Sequence, residues 1–181
     1  MTEHFANPDL PNDAANSPAK SWYAAYTCAH HEKRVAEQLG ARAVEHFLPL
    51  YPSVRRWKDR RVELDMPLFP SYVFVHLGLG ERMRVLEVPS VARLVGFNGV
   101  PTPLPDIEIE TLRRCLQGGL RAEPHPYLKV GRRVRIISGP LQDLEGRVAR
   151  RKSALRFVVS LDLIQRSILL QIDSSSLEAL T

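Results

Sequence analysis

The chain has 181 residues, 44% of them hydrophobic and 25% charged, which is typical of one ordinary folded domain or two small ones. No run approaches the roughly 20 apolar residues of a membrane helix, and the first 20 residues lack the layout of a secretion signal. The net charge is +5, and residues 118–181 carry 11 basic against 6 acidic residues. This excess favours polyanionic partners. We expect a cytoplasmic protein.

The N-terminal third is predicted to begin as a leader and to become ordered abruptly. Residues 1–20 are rich in Pro, Asn, Asp and Ala and are predicted to be disordered. An aromatic-rich strand is predicted over Ser21–Thr27. Over Glu32–Ala43 the apolar residues recur at helical spacing, which indicates an amphipathic helix. Val44–Tyr51 is apolar enough for a second strand.

The middle of the chain is predicted to alternate strands and helices. Apolar residues alternate around a charged centre in Val54–Leu64, which predicts a hairpin with a basic tip. Leu68–His76 is a Pro-bounded strand with the densest aromatic cluster. A short helix, a strand and a longer helix follow, over Glu81–Val88, over Val91–Phe97 and from Asp106. This order predicts an α+β domain over residues 21–117.

The last third has a different pattern. Residues 118–127 mix Gly, Pro and polar residues and are predicted to be a linker. Short strands are then predicted over Arg132–Ile137, Gly146–Arg151, Leu155–Leu161 and Ile168–Ile172. Four or five short strands within residues 128–181 favour a small closed barrel, because closure removes exposed strand edges.

Several of these segments resemble the NusG family of transcription elongation factors. Three segments are similar to the start, the central strand and the last strand of its N-terminal NGN domain: Trp22-Tyr23 before the helix with His31-Glu32-Lys33, Leu68-Phe69-Pro70-Ser71-Tyr72-Val73-Phe74-Val75, and Val91–Phe97. Residues Val130–Leu141, followed by Glu145–Val148, carry a KOW motif. The resemblance implies an NGN domain, with an antiparallel sheet flanked by helices, followed by an SH3-like KOW β-barrel. The strand Val44–Leu50 and the short basic hairpin resemble the specialised RfaH, LoaP and UpxY paralogues more than the housekeeping factor.

The family resemblance implies a docking surface for RNA polymerase. In the family, the NGN domain binds the clamp helices of the polymerase and suppresses pausing or termination. Transfer by position places Tyr26, Tyr72, Phe74 and Phe97 on that apolar surface. The alternative interpretation is that these aromatic residues form the ordinary core of the sheet.

Two groups of basic residues are candidates for nucleic-acid binding. Lys33, Arg34 and Arg42 project from the first predicted helix, which in the family faces the non-template DNA strand. The hairpin residues Arg55, Arg56 and Trp57 belong to the strongest basic run and include an aromatic side chain. The alternative interpretation is that neither group binds nucleic acid, the helix residues lying on a solvated face and the hairpin residues at a solvated tip.

The KOW domain is implied to be a protein adaptor that recruits a ribosomal protein or the termination factor Rho. Phe157, Leu163, Ile164 and Ile168 are predicted to face outward for that contact. The alternating, β-branched character of residues 155–172 favours an all-β domain. Leu161, Ile164, Ile168 and Ile172 also sit at helical spacing, so a helical state of the kind found in RfaH-like members stays open.

Several other classes of function find little support. Cys28, His30 and His31 lack further ligands at suitable spacing for zinc, so we expect no metal and no cofactor. No nucleophile–base pair or paired acids emerge, so we expect a binding protein and not an enzyme. The resemblance implies a monomer without membrane contact. A ribosome- or RNA-binding KOW protein that acts independently of polymerase is the alternative function.

Overall fold

The structure is a computed structural model that describes residues 19–57, 60–118, 122–126, 131–139, 141–151, 154–171 and 176–180. The predicted leader lies outside these ranges except for residues 19 and 20, which have no regular structure. None of the described helices is long and apolar enough to cross a membrane.

The elements of the N-terminal part follow the predicted alternation of strands and helices. In chain order they are β1 (Ser21–Thr27), α1 (Glu32–Ala41), β2 (Glu45–Phe47), β3 (Leu50–Trp57), β4 (Arg60–Pro67), β5 (Tyr72–Leu77), a 3-10 turn (Leu79–Glu81), α2 (Met83–Leu86), β6 (Val91–Leu94), β7 (Gly96–Phe97), β8 (Val100–Pro101) and α3 (Asp106–Gln117). The predicted single strand Val44–Tyr51 is wrong. It is divided into β2 and β3, and Pro49, which has no amide hydrogen for a ladder, lies between them.

The N-terminal sheet is antiparallel, with strand order β2-β5-β1-β6, and both of its faces are covered. Successive strand residues point to opposite faces. One face packs against α1 and α2, through a cluster that includes Tyr23, Ala25, Val73, Val75, Val35, Leu39 and Val85. The other packs against α3, through Trp22, Ala24, Phe74, Ile109 and Leu112. The sheet therefore serves as the middle layer of the N-terminal part.

Arg113 on α3 contacts the edge of that sheet through two aromatic rings and an ion pair. The Arg113 guanidinium lies 4.8 Å from the ring centroid of Trp22 and 5.4 Å from that of Phe47. It also forms ion pairs with Glu110, at 3.1 Å, and with Glu45 on the outer strand β2, at 3.7 Å. Stacking on two rings and pairing with two acids stabilises the packing of α3 against the sheet edge.

The C-terminal sheet has six antiparallel strands. They are β9 (Ala122–Pro126), β10 (Arg132–Ile136), β11 (Glu145–Arg151), β12 (Ala154–Leu161), β13 (Arg166–Leu170) and β14 (Leu177–Ala179). Their order is β14-β10-β11-β12-β13-β9. An all-β region with this strand content agrees with the predicted KOW barrel.

The predicted linker 118–127 contains a strand, and that part of the prediction is wrong. β9 pairs with β13 over its whole length, from Ala122 opposite Leu170 to Pro126 opposite Arg166. β9 is an outer strand, so its residues need hydrogen bonds on one side only. Pro124 and Pro126 are tolerated there because their missing amide hydrogens can face the unpaired edge.

The two sheets meet through α3. Buried residues of the N-terminal sheet, of α3 and of the C-terminal sheet form one continuous apolar cluster. The Arg114 guanidinium donates a hydrogen bond of 2.8 Å to the carbonyl oxygen of Gln142, in the loop before β11. Helix α3 is therefore the layer that both parts of the chain share.

Candidate functional site

Two of the predicted docking residues form a tyrosine pair at one end of the N-terminal sheet. Tyr26 on β1 lies directly opposite Tyr72 on β5, and both side chains are half-buried. Their ring centroids are 5.4 Å apart with the planes tilted by 59°. A tilted pair of this kind is a favourable aromatic contact.

Arg93 completes this group, and the sequence analysis did not identify it. Arg93 on β6 is the register partner of Tyr26 on its other side, and its guanidinium lies 4.8 Å from the Tyr26 ring centroid. Only the order of the strands reveals this contact, because Arg93 is 67 positions away from Tyr26 in the chain. Tyrosine and arginine are among the residue types most enriched at energetically important protein contacts.

The loop before β5 holds Tyr72 in place. Ser71 has a φ of +69°, its backbone N–H donates a 2.6 Å hydrogen bond to Oε1 of Glu32, and its carbonyl accepts a 2.8 Å bond from Thr27. Glu32 is buried at the start of α1, where the helix dipole favours a carboxylate. The predicted strand Leu68–His76 therefore begins only at Tyr72, because Ser71 adopts a left-handed conformation.

Phe97 lies on a separate small hairpin. β7 and β8 pair Gly96 with Pro101 and Phe97 with Val100, and Phe97 and Val100 are 68% and 61% exposed. Asn98 and Gly99 form the turn with φ values of +50° and +78°, as a two-residue hairpin turn requires. A Cβ atom at Gly96 would lie 1.9 Å from the carbonyl oxygen of Val100, so only glycine fits. The hairpin presents an adjacent pair of apolar side chains to solvent.

Phe74 does not line a surface, and the prediction that it does is wrong. Its side chain is 0% exposed, two positions further along β5 than Tyr72 and on the same face. Phe69 packs edge-on against it at 5.7 Å, and Phe47 lies at 6.3 Å. On this face of the sheet, β5 is therefore partly exposed at Tyr72 and fully covered at Phe74. We call the exposed part the open end of the N-terminal sheet.

The three predicted basic residues are all exposed: Lys33 and Arg34 lie on α1, and Arg42 directly follows its last residue. Lys33 and Arg34 form no ion pair in the described ranges, and none joins Lys33 to Glu37 one helical turn away. Arg42 lies 3.6 Å from Glu87. At the entrance of the helix, Nδ1 of His31 lies 2.8 Å from the Ser90 hydroxyl, which gives that ring a structural partner. No group of metal-ligating side chains is found in the described residues.

The predicted hairpin is confirmed as a two-stranded ribbon of β3 and β4, with tip residues 58 and 59 outside the described ranges. Arg56 lies directly opposite Arg61, and both are exposed. Neither forms an ion pair within the described part of the chain, and like charges directly opposite each other destabilise a strand pair. Only the backbone of Arg55 and Trp57 is described, so their predicted side-chain roles stay untested.

Three of the four residues predicted to recruit a partner through the C-terminal sheet are buried, so that prediction is wrong for them. The exposed fractions of Phe157, Ile164 and Ile168 are 0%, 4% and 0%. The ring of Phe157 lies over Gly146 on β11, where a Cβ atom would come within 2.4 Å of its Cζ atom. The three buried residues belong to the apolar cluster that the C-terminal sheet shares with α3, and Leu163 alone among the four is half-buried.

Comparison with known proteins shows where this chain belongs. A family model described as "Transcription termination factor nusG" matches residues 20–113. The transcription termination/antitermination protein NusG of Deinococcus radiodurans is 32% identical over 157 residues, covering 71% of this chain and 82% of that protein. The protein of the same name from Rickettsia felis is 24% identical over 176 residues, covering 89% of this chain and 91% of that protein.

A solved structure extends the likeness to the fold. The structure titled "Domain interaction in Thermotoga maritima NusG" superposes with a TM-score of 0.55 and 26% identity, covering 90% of this chain and 98% of that one. The family model spans more than half of the chain, and the Deinococcus radiodurans protein exceeds 30% identity over most of it. The chain belongs to the NusG family.

Proposed function

We propose that the chain is a transcription elongation and antitermination factor that binds RNA polymerase through its N-terminal domain. The family match over residues 20–113 carries this proposal, and relatives matched over most of the chain are named transcription termination/antitermination proteins. The proposed role is that of a binding protein and not of an enzyme. Residues 21–117 form the polymerase-binding domain in this proposal, and the part after residue 122 forms the partner-binding domain.

The polymerase-docking surface consists of Tyr26, Tyr72, Arg93, Phe97 and Val100. The first three form one contiguous group, and the last two are the exposed pair of the β7–β8 hairpin. Phe74 supports this surface from below without touching a partner. A surface with half-buried tyrosines suits the capture of helix tips such as the clamp helices, because each ring buries a large area with little loss of side-chain freedom.

Nucleic acid contacts two further regions in this proposal, helix α1 and the β3–β4 ribbon. Lys33, Arg34 and Arg42 on the helix face the non-template strand, and Arg55, Arg56 and Trp57 on the ribbon contact nucleic acid or polymerase. The opposed pair Arg56 and Arg61 supports this role, because a bound phosphate group would relieve their mutual repulsion.

The C-terminal sheet recruits a ribosomal protein or Rho. Because Phe157, Ile164 and Ile168 are buried, the partner must contact other residues, and Leu163 is the remaining one of the predicted set. Arg133 and Arg135 both pair with Glu145, at 3.0 and 2.7 Å, which reduces the free positive charge that independent RNA binding would need.

A transcription assay with purified polymerase through a defined pause and an intrinsic terminator tests the proposal. We expect the full chain to shorten the pause or to raise read-through, and the Phe97→Asp variant to lose most of that effect. Ile137→Asp places the same charge on an exposed apolar residue of the C-terminal part and should leave the pause effect intact. An unchanged pause and unchanged read-through, together with salt-steep RNA binding by the chain alone, would favour the independent RNA-binding function.

A further inference from the structure

The outer part of the β3–β4 ribbon is basic and partly apolar. Arg56, Arg60 and Arg61 are exposed and form no ion pair within the part of the chain that the structure describes. Arg60 lies on the same face of the ribbon as Val62 and Leu64, and Leu64 is 44% exposed. We call these five residues the outer ribbon. Unpaired positive charge beside exposed apolar area suits an acidic partner that also carries apolar side chains.

The acids of the ribbon do not pair with these arginines. Glu63 and Asp65 lie on the opposite face from Leu64, where they are the register partners of Val54 and Pro52. Both acids are exposed, and neither forms an ion pair within the described ranges. The outer ribbon therefore carries positive charge that the described residues of the fold leave unpaired.

Other basic regions fit an acidic partner less well. In the C-terminal sheet, Arg133 and Arg135 both pair with Glu145. On α1, Lys33 and Arg34 are exposed, but none of the large exposed apolar side chains of the described residues lies on that helix. The outer ribbon combines unpaired arginines with exposed apolar area.

The chain itself contains an acidic segment of matching character. Residues 1–18, which lie outside the described ranges, contain three acids and neither lysine nor arginine. Apolar residues alternate with the acids, in the order Glu3, Phe5, Asp9, Leu10 and Asp13. We call residues 1–18 the acidic segment. Its charge is opposite to that of the outer ribbon, and its apolar residues match the apolar part of that surface.

The acidic segment is long enough to reach the outer ribbon. It precedes β1, which begins at Ser21, opposite Leu77 and at the far end of the sheet from Tyr72. The path from Ser21 runs about 17 Å along the sheet and then about 25 Å along the ribbon. Eighteen extended residues span up to about 60 Å, so the acids can reach the arginines. Because the segment is tethered, its effective concentration at the ribbon is in the millimolar range.

We propose that the acidic segment docks on the outer ribbon in the free chain. Its carboxylates pair with Arg56, Arg60 and Arg61, and its apolar residues pack against Val62 and Leu64. One consequence rests on the proposed function: nucleic acid competes with the segment for the same arginines. The docked segment therefore lowers the affinity of the free chain for nucleic acid.

A spin label on the acidic segment measures docking in the full chain. Ala6→Cys carries the label, and Cys28→Ser removes the exposed native thiol, while Cys115 is buried. The label broadens the amide signals of residues that lie near it. We expect the signals of Arg60 and Leu64 to fall to about half or less while the label is active, and to recover in about 0.5 M salt.

Charge reversal tests whether the contact is electrostatic. Reversal of the segment should abolish the broadening, with the changes Glu3→Lys, Asp9→Lys and Asp13→Lys. Reversal of the ribbon should abolish it as well, with the changes Arg56→Glu, Arg60→Glu and Arg61→Glu. The two reversals together should restore it. The matched control on α1, Lys33→Glu with Arg34→Glu, should keep it, and circular dichroism confirms that each chain is folded.

Binding of a single-stranded DNA oligonucleotide to the full chain tests the competition. Neutralising the segment should raise the affinity about three- to tenfold, with the changes Glu3→Gln, Asp9→Asn and Asp13→Asn. A control neutralises three exposed acids elsewhere in the chain, with the changes Asp106→Asn, Asp143→Asn and Glu178→Gln. It should raise the affinity by less than about twofold, because salt screens distant charges.

Amide signals of the ribbon that keep their full intensity would overturn the proposal. So would broadening that survives reversal of the segment, or a double reversal that does not restore it. Docking without any gain in DNA affinity on neutralising the segment would overturn the competition. If reversing the ribbon does not weaken DNA binding by the neutralised chain, the nucleic-acid role of the ribbon in the proposed function fails, and the docking result stands separately.

Discussion

The two sheets of this protein differ in how completely their apolar residues are buried. In the C-terminal sheet, Phe157, Ile164 and Ile168 all turn inward. In the N-terminal sheet, one face is covered at Phe74 and open at Tyr72, only two residues away along the same strand. The C-terminal sheet buries these residues in the apolar cluster that it shares with α3, whereas on the N-terminal sheet α3 leaves the end at Tyr72 partly uncovered. The uncovered end is where a partner can bind.

The largest expected effect is the loss of stability on removing a buried aromatic ring, compared with removing the half-exposed ring of Tyr72. Phe74→Ala and Phe157→Ala remove fully buried rings and should each lower the free energy of unfolding by about 3–5 kcal/mol. Tyr72→Ala should lower it by only about 1 kcal/mol, because its ring is half-exposed. Urea denaturation measures all three. Equal losses at Tyr72 and Phe74 would remove the distinction between the two ends of the sheet face.

The next effect tests how closely the C-terminal sheet encloses Phe157. Gly146→Ala should destabilise the chain by about 1–3 kcal/mol, because the new methyl group meets the Phe157 ring and the Val158 carbonyl oxygen. Gly80→Ala is the control, since nothing lies within 4 Å of its added Cβ atom. Thermal unfolding should show a lower midpoint for the first variant only. A neutral Gly146→Ala chain would mean that the ring is free to move.

A smaller effect is expected at Glu32, whose carboxylate accepts the hydrogen bond from Ser71, next to Tyr72. Glu32→Gln weakens the hydrogen bond to the Ser71 backbone and should reduce stability by about 1–2 kcal/mol. Glu37→Gln, at an exposed position of the same helix, should be within about 0.5 kcal/mol of the parent. Amide exchange should also rise at Ser71 and Tyr72 in the first variant. No change there would show that Glu32 does not position Tyr72.

The smallest expected effect concerns Glu45, on the outer strand β2 of the N-terminal sheet. The hydrogen bond from His76, 2.8 Å long, lowers the pKa of Glu45. A lowered pKa stabilises the fold above pH 4.5, and this contribution is lost as the pH falls below that value. Glu45→Gln should therefore cost about 0.5 kcal/mol or less at pH 6, and less than that at pH 3, since the Glu45 side chain is about half-exposed. A cost that grows on acidification would contradict this sign.

The sequence predicted most of the helices and strands, but not which of their faces are covered. The helical spacing of Val35, Ala36 and Leu39 and the alternation around the basic hairpin predicted α1 and the β3–β4 ribbon. The pair Tyr26 and Tyr72 was found from the family resemblance. Arg93 was missed because its contact with Tyr26 depends on strand order. Phe157 and Ile168 were misplaced because alternation tells which residues share a face, but not which face is enclosed. The assignment to specialised paralogues stays a prediction.

The most direct test of the account measures the affinity of the full chain for core RNA polymerase. Phe97→Asp and a double variant Tyr26→Ala, Tyr72→Ala should each bind at least about tenfold more weakly than the parent, because buried aromatic anchors dominate such contacts. Ile137→Asp, on the C-terminal part, should bind within about twofold of the parent. Parent-like affinity in both N-terminal variants, with folding intact, would contradict the claim that the tyrosine pair and the β7–β8 hairpin form the polymerase-docking surface.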